Sequence, residues 1–304
     1  MSITPGPFVL GGNVFGWTVQ RAEGFKILDA FVDGGGTLID TADMYSSWVP
    51  GNSGGDSERM LGEWLAQGRR DRVQIATKVA KWSEQPGLSP TNIRAAIDGS
   101  LRRLNTDHVD LYYAHEDDNA VAQSAYLAAF HDVVTAGKAR ALGASNFRAS
   151  RLLAALMHQR DNNLTPFSVS QDQWNLVERG IEKDLVPVLE KQGVIELPYF
   201  ALASGFLTGK YRPGVKVDSV RARGVDNYLA DERNLKLLAV LDDVAAAHTM
   251  SVTAVSLAWL RAQNTVGAPI ASARTVEQLK DLFAGAALSL RPDELAALSA
   301  VSAR

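Results

Sequence analysis

The chain has 304 residues, of which 46% are hydrophobic and 21% charged, with a formal net charge of −3 and no cysteine. That is enough apolar material for a sizeable core, while the weak negative charge gives no electrostatic basis for holding nucleic acid or an anionic membrane. Disulfides, thiolate metal sites and cysteine nucleophiles are excluded; no apolar run approaches the roughly 18–20 residues that span a bilayer, and the first residues lack the basic start and apolar stretch of a leader, so a cytoplasmic protein is expected.

In chain order, an apolar run at Phe8-Val9-Leu10 ends in Gly11-Gly12-Asn13 and a loop carrying Phe15 and Trp17. Whether it is a preliminary strand or the first strand of the main sheet is open. Residues 21–32 read as a helix, with Phe25, Leu28 and Val32 at helical spacing. Gly34-Gly35-Gly36 stops it, because glycine takes the left-handed conformation that helix ends often need. A short strand, Thr37-Leu38-Ile39, then closes on Asp40. Residues 57–65 form a second helix, and Val73 to Thr77 a strand ending on Lys78. Ser89-Pro90 opens the next helix in the favoured order of capping serine and first-turn proline. A strand over 109–114 ends on His115, a helix spans 124–135, and a strand over 139–144 ends on Ser145-Asn146. A helix over 151–160 precedes the strand 167–170, which leads to Gln171. Residues 183–192 are helical with Pro187 as a flaw, and 194–198 lead to Tyr199. An excursion from Gly205 to Ala230 reads as a surface loop; helices follow at 235–248 and 252–263. The last strand, 268–271, precedes helices over 276–283 and from Pro292 onward.

Some eight strands alternating with helices predict a parallel sheet covered by helices. At this length, without a composition break, that favours one α/β domain over 1–304, a closed (β/α)8 TIM barrel. An open doubly wound sheet lacks its fingerprint, since the glycine triplet precedes a strand and no Gly-x-Gly-x-x-Gly opens a helix. Gly205-Phe-Leu-Thr-Gly209-Lys210 is one residue too short for a phosphate loop.

Asp40, Lys78, His115, Asn146, Gln171, Tyr199 and the pair Ser272/Arg274 all stand at strand ends, where a barrel of this kind places its chemistry. Singly, each has an ordinary reading: a carboxylate capping a strand, a solvated lysine, a structural imidazole. Together they predict a polar pocket. No metal centre is expected, because His108, His115, His131, His158 and His248 show no ligand spacing. A serine triad is not expected either, for want of a Gly-x-Ser-x-Gly elbow. Asp40, Tyr45, Lys78 and His115 suit proton transfer to a carbonyl. The lysine would lower the phenol's pKa, the aspartate would hold the lysine, and the histidine would orient the oxygen. The quartet lacks a nucleophile, so hydride must come from a cofactor.

The segment Asp40-Thr-Ala-Asp-Met-Tyr45, with Ala76-Thr-Lys78, Leu111-Tyr-Tyr-Ala-His115, Gly143-Ala-Ser145-Asn146-Phe147 and Gln171-Asp-Gln-Trp174-Asn-Leu, resembles the aldo-keto reductase family over nearly the whole chain. The resemblance implies a barrel binding an extended nicotinamide cofactor, NADPH in preference to NADH, and carbonyl reduction with Tyr45 as general acid. It implies that Ser145, Asn146 and Gln171 bind the carboxamide, with Asp40 nearby. Tyr199 would stack on the nicotinamide, and Leu202, Ser204 and Lys210 would wrap the pyrophosphate. At the adenine end it implies Ser272, Arg274 and Gln278. Three departures stand out: Trp174 replaces a Tyr, residues 46–56 make a longer loop expected to cover the mouth, and Asp281 stands where the family tends to have Asn. Arg274 can pair with a 2′-phosphate, whereas Asp281 would not help one.

The expected partner is therefore a small aldehyde or ketone, with a cofactor-binding regulatory subunit of little turnover as the alternative. Phe15, Trp17, Trp48 and Trp82, with Trp174, are candidates to line the mouth or, equally, to fill the core. The charges Arg221, Arg223, Asp226 and Asp231 either select a charged substrate or keep a loop soluble.

Overall fold

The computed structural model describes residues 3–218 and 224–303; Arg221 and Arg223 lie outside them. The strands are β1 (Val9–Gly11), β2 (Leu38–Asp40), β3 (Gln74–Val79), β4 (Val109–Ala114), β5 (Ala139–Ser145), β6 (Phe167–Gln171), β7 (Ile195–Glu196) and β8 (Ile270–Ala271). The helices are α1 (Arg21–Asp33), α2 (Asp56–Leu65), α3 (Pro90–Leu104), α4 (Gln123–Thr135), α5 (Ala149–Asp161), α6 (Leu185–Gln192), α7 (Asp226–Leu229), α8 (Glu232–His248), α9 (Val252–Arg261), α10 (Val276–Ala287) and α11 (Pro292–Val301). No single helix among the described residues is long and apolar enough to cross a membrane.

All strand pairs are parallel, in the order β7-β6-β5-β4-β3-β2-β1-β8. The remaining seam is bridged by Gly267 N–H to Glu196 O (2.9 Å) and Ile270 N–H to Pro198 O (2.8 Å), which curl the sheet into a (β/α)8 barrel. The run at Phe8 is thus the first barrel strand, paired with both β2 and β8.

Two local predictions have a visible physical basis. Ser89 Oγ accepts the Asn92 N–H at 3.2 Å, capping α3 one residue before Pro90. Gly35 ends α1 at φ +90°, and a Cβ on Gly36 would lie 2.2 Å from the Phe31 ring, so the triplet serves both handedness and close approach. Pro187 is no flaw in a longer helix: α6 starts at Leu185, which puts the proline in the first turn, where its missing N–H has no intrahelical partner. The excursion after Gly205 is not all loop. A 3-10 turn spans Ala203–Thr208, and Asp231 caps α8 by accepting the Arg233 N–H at 2.9 Å. Asp231 and Asp226 therefore serve helix starts, outside the cavity.

Alternation along the strands divides the core in two. Val9, Leu38, Ala76, Leu111, Tyr113, Ala141, Val169, Leu197 and Ile270 fill the barrel interior, whereas Leu10, Ile39, Ile75, Tyr112 and Leu142 pack outward under the helices. Because side chains repeat every second residue in a strand, Asp40, Lys78, His115, Ser145, Gln171, Tyr199 and Ser272 share the inward parity. They form the layer above that apolar plug. Gly143 makes room for the plug, since a Cβ there would lie 2.4 Å from the Tyr113 ring.

Candidate active site

At the C-terminal rim a cavity of about 610 Å³ runs from Tyr45 to Arg274. Asp40, Tyr45, His115, Asn146, Gln171, Tyr199, Leu202, Ser204, Lys210, Ser272, Arg274 and Gln278 all line it. Lys78 and Ser145 lie just beneath, fully or almost fully buried.

Lys78 is the centre of the catalytic-end cluster. Its three ammonium protons go to Asp40 Oδ2 (2.6 Å), Thr41 O (2.8 Å) and Tyr45 Oη (3.0 Å). Asp40 Oδ1 accepts from Gln171 Nε2 at 2.9 Å, which ties β2 to β6 across the barrel mouth. Tyr45 reaches the cluster because the chain leaving β2 turns back on itself, with the Asp43 N–H bonded to Lys78 O (3.2 Å) and the Tyr45 N–H to Ala42 O (3.2 Å).

The expected depression of the phenol pKa is overturned. Burial foremost, and then the Asp40 carboxylate, push Tyr45 well above its usual value of 10. The ammonium is close enough to act on the phenol, but its charge is already matched by the nearer carboxylate. With Lys78 donating to the phenol oxygen, the Tyr45 proton is left with only a long 3.4 Å alternative at Asp40, and so is available to the cavity. Tyr45 is a neutral phenol held by its oxygen.

His115 faces Tyr45 at 6.1 Å between ring centroids. Burial, with the charges of Lys78 and Lys81, holds its pKa well below 6.5, so the imidazole is neutral. Its buried Nδ1 has no hydrogen-bond partner among the described residues.

Asn146 sits in the left-handed region (φ +59°) with both donors of its amide engaged and one lone pair of Oδ1 left over. Nδ2 donates to His115 O and Ser145 Oγ, both at 2.9 Å, and Oδ1 accepts from Tyr199 Oη at 2.8 Å. Its backbone N–H is held at 3.0 Å by Asp172 Oδ1, whose other oxygen accepts from Ser170 Oγ at 2.6 Å. Glu196 Oε1 in turn accepts the Asp172 N–H at 2.7 Å. Burial raises the Asp172 pKa to about 6 and that of Glu196 well above the usual range, so the pair does not carry two charges. This acid pair escaped sequence reasoning. Asp172 follows Gln171 directly, but nothing in the spacing tells a buried bracket from a solvated loop acid.

Toward the far end, Ala203, Ser204 and Gly205 run in positive φ (46°, 57° and 101°) and wrap the cavity wall. Lys210 and Arg274 line this end with no carboxylate bonded to them among the described residues, and can meet an anion; Asp281 lines it too. Ser272 Oγ donates to Asn13 Oδ1 at 2.7 Å, and the Arg274 N–H donates to Gln278 Oε1 at 2.8 Å. Asn13 was missed although it follows β1 as the other polar residues follow their strands.

Of the aromatics expected at the mouth, Trp48 lines the cavity, on the loop expected to cover it. Phe15 does not: it is fully buried in the outer core because its ring fills space beneath α1 and α2. Trp17 stands one layer back, edge-on to Trp48 at 5.8 Å. Trp82 turns away to cover the Arg103 guanidinium at 5.4 Å. Trp174 is buried with its Nε1 bonded to Glu182 at 2.9 Å.

Comparison with known proteins agrees with this geometry. Residues 7–303 match the model of the aldo/keto reductase family. An uncharacterized oxidoreductase of Bacillus subtilis (strain 168), YrpG, is 32% identical over 300 residues, covering 95% of this chain and 90% of the relative. Aryl-alcohol dehydrogenase GME11368 of Pestalotiopsis microspora is 30% identical, with 97% and 78% covered. Norsolorinic acid reductase of Aspergillus flavus is 29% identical, with 95% and 76% covered. By that match, the barrel and the motifs at its rim, the chain belongs to the aldo/keto reductase family of oxidoreductases.

Proposed function

We infer that this protein, as a single barrel domain over 1–304, reduces the carbonyl of a small aldehyde or ketone to an alcohol with NADP(H). The observation that carries the reading is the hydrogen-bonded set Asp40–Lys78–Tyr45 facing His115 in one cavity. The name of one relative, an aryl-alcohol dehydrogenase, points to aromatic compounds, and that of another is a reductase.

The cavity residues fit an extended dinucleotide. Asn146 and Gln171 offer amide groups and Tyr199 a ring face at one end, while Lys210 and Arg274 offer cations at the other. When bound, the reduced nicotinamide supplies a hydride equivalent. The protein's own part is to place and protonate the carbonyl. His115, neutral and exposed to the cavity, orients the carbonyl oxygen beside Tyr45. Lys78 fixes the phenol oxygen, so that the Tyr45 proton points at the developing alkoxide. As that proton leaves, the ammonium 3.0 Å away stabilises the phenolate that forms, a charge present only during reaction. Asp40 keeps Lys78 in place. Arg274 favours a 2′-phosphate and Asp281 opposes it, which gives NADPH a preference over NADH without excluding the latter.

Purified protein given NADPH and a panel of aromatic aldehydes is expected to oxidise the cofactor, and Tyr45→Phe to lose most of that rate. Turnover that survives Tyr45→Phe overturns the mechanism. Tight cofactor binding with negligible turnover across the panel would favour the regulatory-subunit reading.

A further inference from the structure

We propose that the substrate end of the cavity selects carbonyl compounds that carry an anionic group, a carboxylate on an aromatic frame, through the ammonium of Lys81. The inference rests on the carbonyl-reductase reading of the same site.

At this end the wall is built by Met44, Tyr45, Trp48, Lys81 and His115. The apolar face of Trp48 and the Met44 side chain suit a flat ring. The two lysines here differ in kind. Lys78 is fully buried and its three protons are engaged, so it has nothing to offer a substrate's distal group. Among the described residues Lys81 pairs with Glu116 alone, at 3.6 Å, with both side chains part-exposed (33% and 47%). That separation is well beyond the roughly 2.7–2.9 Å of a charge-assisted hydrogen bond, and such an exposed pair is readily exchanged for a better anion. The other cations of the cavity, Lys210 and Arg274, stand at the far end with Ser204 and Gln278. The field of Lys81 does reach the reacting centre, since it is among the charges that keep His115 neutral.

The backbone also singles out this position. Ala80, immediately after β3, has φ +121°, a conformation L residues rarely adopt. It is held there from both sides. Gly87 N–H donates to Ala80 O at 2.8 Å, and Trp82 is anchored on Arg103. Lys81 follows this unfavourable turn directly and lines the cavity, and strain of this kind persists where the surrounding structure enforces it.

The test compares kcat/KM with NADPH for 4-carboxybenzaldehyde and for its neutral counterpart methyl 4-formylbenzoate. The wild-type protein is expected to favour the carboxylate by about tenfold, chiefly through KM, as one part-exposed charged contact would provide. The preference should weaken with added salt. In Lys81→Gln the ratio falls to about one, Lys81→Arg restores most of it, and Glu116→Gln increases it by freeing the ammonium. A wild-type ratio near one, or a ratio unmoved by Lys81→Gln, overturns the proposal while leaving carbonyl reduction intact. Turnover of neither aldehyde overturns the reductase reading instead. The anion site is then decided by calorimetric binding of benzoate and benzamide with NADP+ present. Tighter benzoate binding that is lost in Lys81→Gln supports it, and equal affinities overturn it.

Discussion

At the Tyr45 end of the cavity the ionic groups Lys78 and Asp40 are buried and paired, whereas at the far end Lys210 and Arg274 face the cavity with no carboxylate bonded to them among the described residues. The first arrangement settles the desolvation of its charges inside the fold, so its geometry exists before any ligand arrives. Preorganised dipoles and charges of this kind are what stabilise a transition state. The second leaves positive charge for a ligand to meet, so its order and stability depend on binding. On the proposed reading, one end is built for chemistry and the other for retention.

The contrast is broken most severely at Tyr45. Tyr45→Phe is expected to lower kcat by about 10²–10⁴-fold, the range of a lost general acid, while moving the urea unfolding midpoint little. A steady-state assay beside a denaturation curve separates the two effects. Lys78→Met attacks the same end through stability. It strands the Asp40 carboxylate, and removing one partner of a buried pair costs roughly 3–5 kcal/mol. Adding Asp40→Asn should recover part of that loss, read from urea midpoints.

A smaller effect follows from His115. Its folded pKa lies well below the ordinary 6.5, so the unfolded chain takes up a proton that the folded one refuses as pH falls below 6.5. Its contribution is therefore fully present above pH 6.5 and is lost on acidification, by up to about 1.4 kcal/mol per pH unit. His115→Asn should show a shallower acid decline between pH 6.5 and 5 than the wild type in parallel denaturation curves. Tyr45 itself predicts no basic limb near neutrality, because its pKa is raised well above 10.

The gentlest perturbations sharpen the far end. Arg274→Ala should weaken NADPH by about tenfold and NADH much less, as for loss of one charged contact. Asp281→Asn should favour NADPH by a few-fold. Fluorescence titrations of both cofactors check both variants, and equal effects on NADPH and NADH would remove Arg274 and Asp281 from any role in discrimination.

The alternation of elements and the rim positions were legible in the chain because both depend on local rules. Strand parity alone puts Asp40, Lys78, His115, Gln171 and Tyr199 on the inward face, and a barrel leaves such residues one place to meet. The aromatics were not legible in this way. Phe15, Trp48 and Trp82 all sit in loops with no period to orient them, and only packing sends one to the core, one to the cavity and one to Arg103. The bracket Asp172–Glu196 was hidden for a related reason, since one partner follows β6, the other lies on β7, and they meet only when those strands pair.

By itself the sequence determined the architecture and the family, and it offered a set of groups chemically suited to move a proton. It did not determine how those groups share their charge. It led to the expectation of a phenol made more acidic by a lysine, and tertiary structure decided otherwise. Folding brings the Asp40 carboxylate within 2.6 Å of Lys78 Nζ, removes water from both, and leaves Tyr45 part-buried on the cavity wall. There the charge of a close pair is largely cancelled while desolvation still disfavours a phenolate, so Tyr45 holds its proton.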